Sequence, residues 1–186
     1  MNPESIEIRA ARPDDRPAIH ALLTAAFGAE EAPRIVQLVD EALEDPSARP
    51  LLSLVAVDGT RVLGHILFTR AEVDTGGEPL AASLLAPMAV HPEVQGQGIG
   101  GRLIAAGLEA LEAMDVGLVF VLGHPGYYPR SGFEPAGRHG LSAPYPIPDE
   151  HAAAWMVKVL RSGLLGQVTG RVRCAAALDH GDLWVE

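Results

Sequence analysis

Four glycines, Gly96, Gly98, Gly100 and Gly101, fall within six positions just before a helical pattern. This cluster restricts the fold more than any other feature of the chain. One glycine costs a helix start little, but four so close together are expensive unless the backbone itself must be exposed. Upstream, Ala81 to Val90 reads as a strand, then His91-Pro92-Glu93-Val94-Gln95 leads into the glycines. Downstream, Ile99, Leu103, Ile104, Leu108 and Leu111 cover an arc of roughly 180° at 100° per residue, the apolar face of a helix. The segment is therefore strand, loop, helix, with unshielded N–H groups gathered at a helix N-terminus. Those groups and the helix dipole converge on one point and make an anion site, suited to a phosphate or pyrophosphate.

Two other glycine-loop readings fail. Gly96, Gly98 and Gly101 spell G-x-G-x-x-G, but in a dinucleotide fold the first glycine follows its strand directly. Here five residues intervene, Leu122 is followed by Gly123-His124-Pro125 in place of an acidic residue, and the loop follows an antiparallel meander. A phosphate loop of the Walker type fails for want of Gly-Lys-Ser/Thr.

The rest of the pattern is mixed α/β. Ile6 to Ala10 alternates as a short strand. Asp14 is the expected N-cap of a helix with Ile19, Leu22, Leu23 and Phe27 inward, ended by Gly28. A second helix is expected from Ala32 to Glu44. Leu51–Val57, Arg61–Val73 and Ala81–Val90, joined at Asp58-Gly59 and Thr75-Gly76-Gly77, form a meander. Pro87 lacks a ladder donor, so regular pairing is expected to fail near it. The helix Gly98–Met114 leads to a buried strand, 117–122, able to run parallel to the strand before it. Tyr127 to Ser131 is a short helical turn, and Ala153–Leu160 and Val172–Leu178 are closing strands.

Composition narrows the partners. The net charge is −10 and Lys158 is the only lysine, so nucleic acid and anionic lipid are poor partners. A cationic small partner is easier to attract. The single Cys174 excludes an internal disulfide and a multi-cysteine metal site, and no His, Asp or Glu group has metal-ligand spacing. No apolar run approaches the ~20 residues that span a bilayer. The segment from Met1 to Glu7 lacks the basic and apolar regions of a signal peptide, so the expected location is cytoplasmic.

Residues 85–100, Leu-Ala-Pro-Met-Ala-Val-His-Pro-Glu-Val-Gln-Gly-Gln-Gly-Ile-Gly, resemble the acetyl-CoA-binding motif of the GNAT (Gcn5-related) N-acetyltransferases. Gln95, Gly98 and Gly100 meet its Gln/Arg-x-x-Gly-x-Gly/Ala pattern. Tyr128-Pro129-Arg130-Ser131-Gly132-Phe133 resembles the family's Tyr-x-x-x-Gly-Phe element. Ser53–Val57, Gly64–Ile66 and Val121–Arg130 are similar to its YhbS-like bacterial branch.

The resemblance implies a GNAT-like acyl-CoA N-acyltransferase fold. It has a mixed central sheet, splayed fourth and fifth strands and helices on both faces. A single domain spans 1–186, with a core of about 5–137 and closing strands in 141–186. It also implies direct transfer of the acetyl group of acetyl-CoA to a primary amine, of a small molecule or a protein.

Under that resemblance the pyrophosphate lies on Gln95, Gly96, Gln97, Gly98, Ile99, Gly100 and Gly101, with Arg102 the nearest cation. Met88, Ala89 and Val90 lie along the pantetheine arm, and an N–H near Met88 polarises the thioester carbonyl. Tyr128 is the general acid to the thiolate, Tyr127 packs, and Phe133 is core. For the base, Glu30, Glu31, Glu72, His91, Glu93 and His124 are candidates, His124 foremost. A non-catalytic acyl-CoA-binding or sensing module on the same fold is the alternative. The acceptor is expected to be read by Ala11–Asp45 and the tail from Gly140, with Trp184 expected at the surface. A homodimer is possible within the family.

Overall fold

The computed structural model describes residues 5–184. Met1–Glu4 of the amino-terminal segment and the last two residues of the tail lie outside the described residues. In chain order the elements are β1 (Glu7–Ala10), α1 (Arg16–Glu44), β2 (Leu52–Asp58), β3 (Arg61–Asp74), β4 (Leu80–Val90) and α2 (Ile99–Ala113). There follow β5 (Leu118–Leu122), β6 (Glu134–Pro135), β7 (Leu141–Ser142), β8 (Trp155–Val159) and β9 (Gly170–Cys174). The main sheet order is β1-β2-β3-β4-β5-β8-β6, with β9 on the far half of β3 and β7 beside β9. β4–β5 and β7–β9 are parallel, and the other pairs are antiparallel.

Helices cover both faces, because successive strand residues point to opposite sides. Ile66, Phe68, Leu85 and Val119 pack under α2 through Ile99, Leu103 and Ile104. Val55, Leu67 and Ala89 pack under α1 through Ile19, Leu22 and Leu23. A third cluster, on Leu38, Leu84, Phe120, Trp155 and Trp184, ties the second half of α1 to the tail.

The two expected N-terminal helices are one run broken at Gly28, where φ is 75° and ψ is 176°. Helical structure resumes at once after the glycine instead of at Ala32. Asp15, not Asp14, occupies the N-cap position. Its carboxylate does not cap α1; it accepts from Arg9 Nη1 at 2.7 Å and from the Arg12 N–H at 2.7 Å, tying the helix start to β1. This hydrogen-bonded pairing with Arg9 holds the Asp15 carboxyl down at about 2. β6 and β7 are strands of two residues each, too short to leave a sequence pattern.

Candidate active site

The meander and the crossover helix place the end of β4 beside the end of β5 without joining them. β4 pairs with β5 at Ala82–Leu118, Ser83–Val119 and Leu84–Phe120 only. β4 then runs on to Val90, while Leu122 of β5 pairs with Trp155 of β8 on its other side. The register of β4 on β3 shifts between Leu85 and Met88, the stretch that holds Ala86 and Pro87. The irregularity expected of Pro87 is present, and it marks where the two strands part.

Three cavities lie along the parting, and Met88 lines all of them. The outer cavity, about 490 Å³, is formed by Val90, Gln95, Gly96 and Gly98–Gly101 with Tyr127 and Arg130. Gly96 and Gly98 sit at φ 76° and 83°, the left-handed region that glycine tolerates best. Gly98 is the N-cap of α2 and offers no side-chain acceptor. The N–H groups of Ile99, Gly100 and Gly101 thus precede the first intrahelical bond, which Arg102 N–H makes to Gly98 O at 3.1 Å. A side chain on Gly100 would have to displace Tyr127, whose Oη lies over it. Gln95 does not reach outward; its Nε2 donates to Val90 O at 3.0 Å and pins the loop to the strand end.

Three expected cofactor residues, Ala89, Gln97 and Arg102, do not line this cavity. Ala89 is buried on the opposite, α1, face. Arg102 turns away on α2, and its Nη2 donates to Ile6 O at 2.7 Å. The cation that lines the cavity is Arg130, whose guanidinium lies 4.8 Å from the centre of the Tyr127 ring. Gln97 is exposed beside the cavity.

The middle cavity carries Gly123, His124, Tyr127, Tyr128 and Arg130. Tyr128 stands at its inner end. Its ring packs edge-on against Tyr127 at 5.3 Å and Phe133 at 5.7 Å, and it lies so close over Gly123 that a side chain there would collide with it. Burial, with a smaller push from Tyr127, raises the Tyr128 phenol well above its ordinary pKa. His124 is exposed, and its Nδ1 accepts from Gly126 N–H at 3.0 Å. His124 lines the middle cavity and not the inner one.

The inner cavity, about 290 Å³, was not legible in advance. It is walled by Phe27, Glu31, Ile35 and Leu38 of α1, by Leu84–Met88, by Val121, Leu122 and Tyr128, and by Leu178, Leu183 and Trp184. Trp184, expected at the surface, is 3% exposed. Its Nε1 donates to Leu178 O at 3.0 Å, and its ring meets Trp155 edge-on at 5.7 Å, which in turn stacks on Phe120 at 5.1 Å. The signal that could have shown this is Leu178, Leu183 and Trp184 recurring in a polar tail. Among the described residues no group of three or more His, Cys, Asp or Glu could hold a metal ion, and no helix is long and apolar enough to cross a membrane. Cys174 lies outside these cavities, and burial first, then Asp179, push its thiol up to about 12.

A glycine-built helix N-terminus, a parted pair of parallel strands and a tyrosine at the parting define an acyltransferase of the GNAT class, and the chain belongs to that family. Residues 7–136 match the family described as "Acetyltransferase (GNAT) domain". The chain is 49% identical over 171 residues to YjhQ of Escherichia coli strain K12, described as an uncharacterized N-acetyltransferase, covering 91% of this chain and 92% of YjhQ. The crystal structure of the E. coli GNAT protein YhbS in complex with CoA superposes with a TM-score of 0.82 at 33% identity, covering 95% of this chain and 93% of that one. A GNAT acetyltransferase from Brucella melitensis in complex with acetyl-CoA gives a TM-score of 0.73 at 31% identity, covering 94% and 98%.

Proposed function

We propose that the chain transfers the acetyl group of acetyl-CoA directly to a primary amine, with Tyr128 as the general acid. The observation that carries this reading is the shared wall: Met88 borders all three cavities, and Tyr128 borders the middle and inner ones. The family's co-substrate fits this chain's own residues. The N–H groups of Ile99, Gly100 and Gly101 suit a pyrophosphate, and Arg130 adds a cation. The inner stretch of β4, past the last pair with β5 at Leu84, suits an extended arm.

In this reading the amine enters from the inner cavity and its nitrogen attacks the thioester carbon. A β4 N–H near Met88 donates to the carbonyl oxygen as it gains charge. Losing such a donor costs about 3–4 kcal/mol of barrier. As the carbon–sulfur bond breaks, Tyr128 donates its proton to the departing thiolate. A phenol whose pKa is raised stays protonated at neutral pH, but its phenolate is more basic than a thiolate of pKa ~8.5. Tyr128 must therefore be reprotonated as it donates. The excess proton on the new amide nitrogen supplies it, so the net change is one proton moved from nitrogen to sulfur. Titration calorimetry with acetyl-CoA, followed by thiol release with an amine panel, tests the proposal. Binding with release supports it, binding without release turns the chain into a binding module, and no binding overturns it.

A further inference from the structure

The inner cavity has two titratable side chains in its wall, Glu31 and Tyr128. The rest of the side-chain lining is apolar, with Phe27, Ile35, Leu38, Leu183 and Trp184 facing the two strands. The charges nearby are turned elsewhere. Arg34 and Asp182 pair at 2.6 Å on the far side of Leu38 and Leu183, where they line a separate polar cleft with Glu41 and His180. Glu31 itself is exposed. It sits one turn past Phe27 across the break at Gly28, so the break sets the acid at the rim.

We infer that the acceptor is a small primary amine on an apolar body, aliphatic or aromatic, with no second positive charge, and that Glu31 receives its ammonium at the rim. This rests on the transferase reading above. The physical ground is the wall. A second ammonium placed against Leu38, Leu183 and Trp184 would lose its water without a partner, at a cost of several kcal/mol. An apolar body loses nothing there and gains on the order of 25 cal/mol per Å² covered. The volume, about 290 Å³, is just under the ~300–1,000 Å³ of ligand pockets, which suits a small molecule over a peptide segment. Glu31 attracts the protonated amine, which gives its extra proton to solvent at the open rim, and the neutral nitrogen reaches the Met88–Tyr128 parting as its body fills the cavity.

The test measures thiol release by the full chain with hexylamine, phenethylamine, spermidine and a lysine-containing peptide, after calorimetry has established acetyl-CoA binding. Both monoamines are expected to exceed spermidine and the peptide in kcat/KM by about tenfold or more, the equivalent of ~1.4 kcal/mol. Glu31→Gln is expected to raise the monoamine KM about fivefold, leaving kcat within about twofold and acetyl-CoA affinity unchanged, and Glu31→Lys to raise it further. Because Glu31 is exposed, neither substitution threatens the fold. Preference for spermidine or the peptide overturns the inference, as does failure of both monoamines in a protein that binds acetyl-CoA. An unchanged KM in both Glu31 variants removes Glu31 from it. Failure to bind acetyl-CoA is a different result, and strikes the transferase reading itself.

Discussion

The outer and inner ends of the parted strands are built from different materials. The outer cavity is made chiefly of backbone: N–H groups of Ile99 to Gly101, two left-handed glycines and a loop pinned by Gln95. The inner cavity is made of side chains from four separate stretches, residues 27–38, 84–88, 121–128 and 178–184. A backbone site tolerates changes in side chains that point elsewhere and fails when the chain path changes. A side-chain site can be re-cut one residue at a time. The outer end can thereby stay fixed while the inner end is re-cut.

The largest effect is expected at the join. Tyr128→Phe removes one oxygen and keeps the ring against Tyr127 and Phe133. We expect kcat to fall by about 10²–10⁴-fold, the range for a lost general acid, with acetyl-CoA affinity unchanged by calorimetry. A fall in affinity with kcat intact would move Tyr128 to the donor side and erase the boundary drawn there.

The difference in materials also explains what the sequence revealed. A backbone site announces itself, because only glycine permits φ 76° at Gly96 and 83° at Gly98 without strain. The meander, the crossover helix and the irregularity at Pro87 were legible from periodicity and proline chemistry. The inner cavity was not, because no local rule connects Phe27 to Leu178 or Trp184. These residues meet only once Phe120, Trp155 and Trp184 have stacked across the sheet. Arg102 misled for a related reason: nearness in sequence to the glycines suggested a phosphate partner, but helix geometry aims it at Ile6. Arg130, nearly thirty residues away, arrives through the turn after β5.

Both ends hang on one sheet, and His65 of β3 tests whether they are lost together. It is fully buried; its Nε2 meets Ser53 Oγ at 3.0 Å, and its Nδ1 has no partner. Burial pushes its pKa from 6.5 down to about 4. Between those values the unfolded chain takes a proton that the folded chain refuses, so stability falls as pH drops from 6.5 towards 4. The loss attributable to this group is about 3 kcal/mol, complete near pH 4. Urea midpoints across this window are expected to fall less steeply in His65→Gln than in the parent. Acetyl-CoA binding and tryptophan emission should be lost in one transition. Two separate transitions would show that the ends are held independently.

Gly98→Val attacks the outer end through its path alone. A β-branched residue at φ 83° carries about 1–2 kcal/mol or more of strain. We expect acetyl-CoA affinity to fall about tenfold, whereas Gln97→Ala, one residue away and exposed, should change it less than about twofold. Equal losses in the two variants would mean that side chains do the binding.

The smallest effect probes the one place where the outer end does use a side chain. Arg130 is exposed, so its attraction for a pyrophosphate is screened by water and salt. Arg130→Ala is expected to weaken acetyl-CoA binding about fivefold at low salt, and less as salt rises, since exposed ion pairs contribute about 1 kcal/mol or below. Arg102→Ala is the matched control. It removes a cation of the same charge from the same neighbourhood, but one committed to Ile6 O, so its affinity loss should be smaller and nearly independent of salt. If Arg102→Ala proved the more damaging and the more salt-sensitive, the donor phosphates would lie on the other side of α2. The backbone amides at its N-terminus would then no longer account for the outer end.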